Sequence, residues 1–145
     1  MIRIDRSVLV EYSPDQMYAL VDAVEQYPEF LPWCGGSAVE MRDETRTRAS
    51  VIIDFHGIRQ TFSTENSKHR PSRIDMRLIK GPFRQLDGSW SFLALGEGGC
   101  KVRFELQYEF ASAILGKLIG PVFEQITASF VDAFVERATT VYGAR

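Results

Sequence analysis

Few groups in this sequence could do acid–base, nucleophilic or metal chemistry: two histidines, two cysteines and 19 carboxylates in 145 residues. His56 sits beside Gly57 in a turn-like pair, and His69 lies in the polar stretch Lys68-His69-Arg70-Pro71. Both read as surface groups rather than catalytic bases. Cys34, in Pro32-Trp33-Cys34-Gly35-Gly36, has no neighbouring base in sequence to hold it as a thiolate. Cys34 and Cys100 lack the paired spacing of a metal or redox site and read as reduced cytosolic thiols. There is no phosphate-binding glycine loop, no nucleophile elbow and no ligand cluster for a metal. The expectation is no catalytic residue, no metal and no required cofactor.

What remains is apolar recognition. Residues that alternation and helical spacing turn inward are Phe55, Phe62, Met76, Leu78, Trp90, Phe92, Phe104 and Leu106, joined by Ile119, Phe123, Ile126 and Phe130. Two proline-stiffened segments, Tyr27–Cys34 with Trp33 and Lys80–Arg84 with Phe83, are placed to close such an interior. These 14 side chains are the candidate ligand-binding set. The same pattern also describes a close-packed core, and alternation alone does not separate the two.

Charge supplies a second candidate surface. The net charge is −2, which excludes a generally basic nucleic-acid binder. It divides into −5 over residues 1–41, +5 over 42–84 and −2 over 85–145. Arg42, Arg46, Arg48, Arg73, Arg77 and Arg84 come from the basic segment. They are the candidate contacts to nucleic-acid phosphates or another anionic surface, against the plainer reading of a solvated sheet face.

The elements that position these groups follow from periodicity. Residues 2–10 alternate as a strand, with Ile2, Ile4, Val8 and Val10 on one face; Arg6 falls in that row and calls for a bulge or a buried ion pair. Ser13-Pro14-Asp15-Gln16 is a helix start with a capping box, and Tyr12 is placed to staple onto Met17. That helix is expected to end near Tyr27, before Pro28. From 36 to 110 the period is two, with a hairpin at His56-Gly57. The clearest strand is Cys100–Phe110, apolar at even and polar at odd positions. Residues 112–142 return to helical spacing. A continuous helix of that length would reach about 46 Å, against a domain diameter of roughly 38 Å, so a bend or break is expected at Gly120-Pro121. The order is one strand, short helices, six strands and a long helix. It gives a single α+β domain over 1–145, a curved antiparallel sheet closed by the last helix. No apolar run reaches the 18 or so residues of a membrane span, and Met1–Arg6 shows no signal peptide.

Two motifs carry a family resemblance. Tyr27-Pro28-x-Phe30-Leu31-Pro32-x-Cys34 and Gly81-Pro82-Phe83-x-x-Leu86-x-Gly88-x-Trp90-x-Phe92 resemble the coenzyme Q-binding START-like family, in its bacterial ribosome association toxin branch. Arg6-Ser7-x-Leu9-Val10-x-Tyr12-Ser13 and Phe134-x-x-Arg137-Ala138-x-x-Val141-Tyr142 are similar to the same branch. The resemblance spans the chain and implies the helix-grip fold. It implies non-catalytic binding of ubiquinone or a related isoprenoid in support of respiratory electron transport. Alternatively, it implies a toxin that binds the large ribosomal subunit and blocks subunit association, with the same six arginines as candidate rRNA contacts. A cytoplasmic location follows, with transient contact at the inner membrane face. Some relatives carry the label polyketide cyclase, a chemistry for which no acid–base pair is visible here.

Overall fold

The structure is a computed structural model and describes residues 1–144. Its elements are β1 (Ile2–Val10), α1 (Pro14–Asp22), a 3-10 helix (Val24–Glu29), β2 (Cys34–Arg42), β3 (Arg46–Phe55), β4 (Ile58–His69), β5 (Arg73–Lys80), β6 (Phe83–Leu95), β7 (Gly99–Phe110) and α2 (Ala113–Tyr142). The seven strands form one antiparallel sheet in the order β1-β7-β6-β5-β4-β3-β2. β2 to β7 are a simple meander, and β1 joins its far edge. The segment from α1 to the 3-10 helix therefore carries the chain from one sheet edge to the other. α2 buries Ile119, Phe123, Ile126 and Phe134 against the concave face.

Local chemistry explains the entry and exit of each element. The Ser13 hydroxyl accepts from the Gln16 amide, and the Gln16 side chain accepts from the Ser13 amide, so α1 starts on a complete capping box. α1 ends at Asp22, earlier than the expected stop near Tyr27. Side chains take the carbonyls there: Tyr27 Oη donates to Val21 O (2.6 Å), Arg42 to Asp22 O (2.8 Å) and Ser37 to Val24 O (2.9 Å). The chain tightens into the 3-10 helix, which holds Pro28 one residue from its end. At the β3–β4 hairpin His56 and Gly57 both have positive φ, 49° and 80°, as a two-residue turn requires. Gly88 is fixed by strand approach: a Cβ there would lie 2.4 Å from the Glu105 carbonyl oxygen.

Two other expectations change. α2 runs unbroken through Pro121. Pro121 and Lys117 are exposed, so water can solvate the Lys117 carbonyl that loses its partner. The helix keeps its length and overhangs the sheet, leaving Ile114 71% exposed. By length and apolarity α2 would also pass for a membrane-crossing helix, yet its apolar stripe is part of the core. Arg6 needs neither a bulge nor a buried partner. β1 pairs with β7 in unbroken register and is an edge strand, so Arg6 stays exposed.

Candidate functional site

Between the concave face and α2 lies a cavity of about 80 Å³. Nine of the 14 candidate residues bound it: Trp33, Phe62, Met76, Trp90, Phe104, Leu106, Phe123, Ile126 and Phe130. The rings of Trp90 and Phe104 stand 4.7 Å apart, with Phe130 5.6 Å from Trp90 and 5.3 Å from Phe104. Such tilted aromatic packing adds to the gain from burial alone.

The other five candidates do not bound the cavity. Phe55 sits at the end of β3, half-buried, with its ring 4.0 Å from His56. Leu78 is half-buried beyond the wall. Phe92 packs edge-on against Tyr18 of α1 (6.1 Å). Phe83 is buried in the main core, where it stacks on Phe110 (5.1 Å) and meets Phe123 (5.1 Å) near the α2 N-terminus. Ile119 is buried one turn away from the cavity. These side chains follow the inward alternation but lie beyond the ends of the cavity, a distance that period-two reading does not measure.

Residues outside the 14 candidates complete the wall, Tyr27 among them from the segment expected to close the interior. Val24 and Tyr27 of the 3-10 helix close one side, and Ala49, Val51, Ile53 and Leu86 line the sheet. Three polar residues also line it: Thr64, Asn66 and Thr127. The Thr127 hydroxyl returns to the carbonyls of Phe123 and Glu124, and the Thr64 hydroxyl donates to Asn66 Oδ1 at 2.9 Å. Alternation from Phe62 through Thr64 was the available signal for Asn66.

The 3-10 helix is pinned over the cavity from three sides. Glu25 pairs with Arg42 of β2 (2.7 Å) and Glu29 with Arg137 of α2 (3.3 Å), while Asp22, just before it, pairs with the buried Lys68 of β4 (3.4 Å). Arg42 thus serves the lid of the concave side, not the convex basic surface.

The convex face carries charge. Glu65 is only 4% exposed there, with Arg48 Nε at 2.8 Å, Arg46 Nη1 at 3.8 Å and Arg77 hydrogen-bonded to its second oxygen. The hydrogen bonds from Arg77 and Arg48 hold its carboxyl down at about 2. Strand register continues this row: Arg48, Glu65, Arg77, Asp87, Gln107 and Arg3 stand opposite one another across six strands. Arg73 bonds Asp75 (2.7 Å), and Arg84 lies 3.6 Å from Glu109. The six arginines therefore do not form one face. Three converge on Glu65 and the rest pair separately.

Burial pushes the Cys34 thiol up and the Cys100 thiol to about 11, so both are protonated at neutral pH. Burial likewise raises the Tyr27 phenol. Among the described residues no three His, Cys, Asp or Glu side chains cluster to hold a metal.

A curved antiparallel sheet gripping one long helix, with an apolar cavity between them, defines a START-like helix-grip protein. The chain belongs to the family described as polyketide cyclase / dehydrase and lipid transport, whose pattern matches residues 10–135. It is 43% identical to the ribosome association toxin RatA of Vibrio cholerae, over 99% of both chains. It is 27% identical to the mitochondrial coenzyme Q-binding protein coq10 of Schizosaccharomyces pombe, over 91% of this chain and 84% of that one. A START superfamily protein from Mycobacterium smegmatis has the same fold, with a TM-score of 0.80 at 17% identity over 96% of this chain and 98% of that one.

Proposed function

We propose that this chain is a non-catalytic ribosome-associating protein. The observation that carries the reading is the convex cluster, three guanidinium groups around one buried carboxylate. Glu65 neutralises one of three charges and orders all three side chains, while Arg46, Arg48 and Arg77 remain 52%, 49% and 71% exposed. The cluster thus offers two surplus positive charges in fixed positions to phosphate oxygens. The 43% identity to a protein named for ribosome association supports it. The large subunit is the partner implied by the sequence resemblance, and the cytoplasm the corresponding location. Sedimentation of purified protein with separated 30S and 50S subunits tests this. Binding to the 50S fraction that weakens steeply with salt is expected. Absence from both subunits at every salt concentration would refute it.

A second reading concerns the concave side: the cavity takes an apolar ligand, ubiquinone or a related isoprenoid. It rests on the aromatic lining and on the coenzyme Q-binding relative. At about 80 Å³ the cavity is smaller than the roughly 150 Å³ engineered cavity that holds benzene. A quinone ring must displace half-buried side chains, and Phe62, Met76 and Phe130 are the wall residues with room to move. Delivery to a membrane would then bring the protein transiently to the inner membrane face. Native mass spectrometry of the purified protein should find a bound lipid or quinone.

A further inference from the structure

One corner of the cavity wall is polar and incompletely partnered. Asn66 on β4 is 8% exposed and bounds the cavity. Its Oδ1 accepts from the Thr64 hydroxyl; its amide nitrogen has no protein partner and, unlike Thr47 Oγ1, is not fully closed off. Thr47 stands directly opposite Asn66 on β3. It is fully buried, and its hydroxyl has no partner either. On its other side Asn66 faces Met76 of β5. Buried polar groups are almost always hydrogen-bonded, because an unmet donor loses its water without replacement. A leucine or valine here would have closed the core at no such cost.

We propose that Asn66 is the hydrogen-bond donor that selects ligands of this cavity: apolar molecules carrying a carbonyl oxygen near one end, such as isoprenoid ketones or quinones. The inference rests on the reading of the cavity as a ligand site and adds a chemical requirement to it. With Oδ1 held by Thr64, the free group of the carboxamide is an N–H, and its complement is an acceptor oxygen. Thr64 orients the amide, which keeps the donor in place before a ligand arrives. The unmet Thr47 hydroxyl lies across the ladder from Asn66, behind the cavity lining rather than on it. The aromatic rings of Trp90, Phe104 and Phe130 form its apolar body.

The test uses two probes of the same shape: geranylacetone, an isoprenoid methyl ketone, and the hydrocarbon with CH₂ in place of its C=O. Both are titrated into the full chain, read by the fluorescence of Trp33 and Trp90, which bound the cavity. The wild type should prefer the ketone by about fivefold to tenfold, the return of one net hydrogen bond. Asn66→Leu should bind the two within about twofold of each other. Asn66→Asp, read at alkaline pH so that its ionised oxygens only accept, should also lose the preference. Equal wild-type affinities would overturn the assignment of Asn66 while leaving the cavity reading intact, the amide then being met by water. Binding of neither probe to the wild type would remove the cavity reading and this inference with it. The wild-type ratio decides the matter even where a variant fails to fold.

Discussion

The concave and convex faces of the sheet share every strand and differ by one residue in register. In β4, Phe62, Thr64 and Asn66 face the cavity, while Ser63 and Glu65 face outward. The concave face is held by burial and ring packing, and its charged residues Arg42 and Lys68 pair with Glu25 and Asp22 at one edge. The convex face is a row of alternating charges whose positions are set by the ladder. The difference teaches that one sheet can present two independent recognition surfaces, because period two isolates each side chain from its sequence neighbours.

The largest effect should come from the concave side. Trp90→Ala removes the ring against which Phe104, Phe130 and Phe134 all pack. A loss of about 3–5 kcal/mol in urea unfolding is expected. A loss below about 1 kcal/mol would mean the cavity already leaves this ring loosely held.

Next, the double charge reversal Arg48→Glu with Arg77→Glu should weaken co-sedimentation with ribosomes by on the order of tenfold or more and flatten its salt dependence. Affinity for an apolar ligand should stay within twofold. A parallel fall in both would break the separation of the two faces.

The pH response sharpens the same contrast. The Glu65 carboxyl titrates at about 2 when folded, against 4.5 for the free group. Its contribution to stability is therefore complete above about pH 4.5 and is lost as pH falls toward 2. Glu65→Gln should remove that part of the acid dependence while leaving ring packing unchanged, as followed by urea midpoints between pH 2 and 6.

The smallest effect belongs to the lid. Arg42→Ala breaks a half-exposed pair with Glu25 and the bond to Asp22 O, and should cost no more than about 1 kcal/mol overall. Hydrogen exchange in Val24–Glu29 should nevertheless speed up, while β3 and β4 stay protected.

The parts of this fold legible in the sequence are those set by local periodicity. β7 alternates without interruption, so its inward Phe104 and Leu106 could be placed from spacing alone. The Ser13 capping box likewise specified the start of α1. What was not legible depended on distant partners. α1 ended early because Arg42 and Tyr27 take its last carbonyls, and Pro121 was tolerated because its side of α2 faces water. Val24 became cavity wall only because the chain must cross between opposite sheet edges. The arginine count indicated a basic region, but Arg42 turned to the lid and Arg46, Arg48 and Arg77 gathered on one carboxylate. That arrangement is a matter of strand register, which composition does not carry.

The most direct test of the ribosome reading is sucrose-gradient sedimentation of the wild type and the Arg48→Glu/Arg77→Glu variant with purified 50S subunits, at low salt and at 0.3 M salt. The wild type should travel with the subunit at low salt and be released at high salt, and the variant should remain at the top of the gradient in both. Wild-type and variant protein sedimenting alike would contradict the assignment of the convex arginine cluster as the ribosome-facing surface.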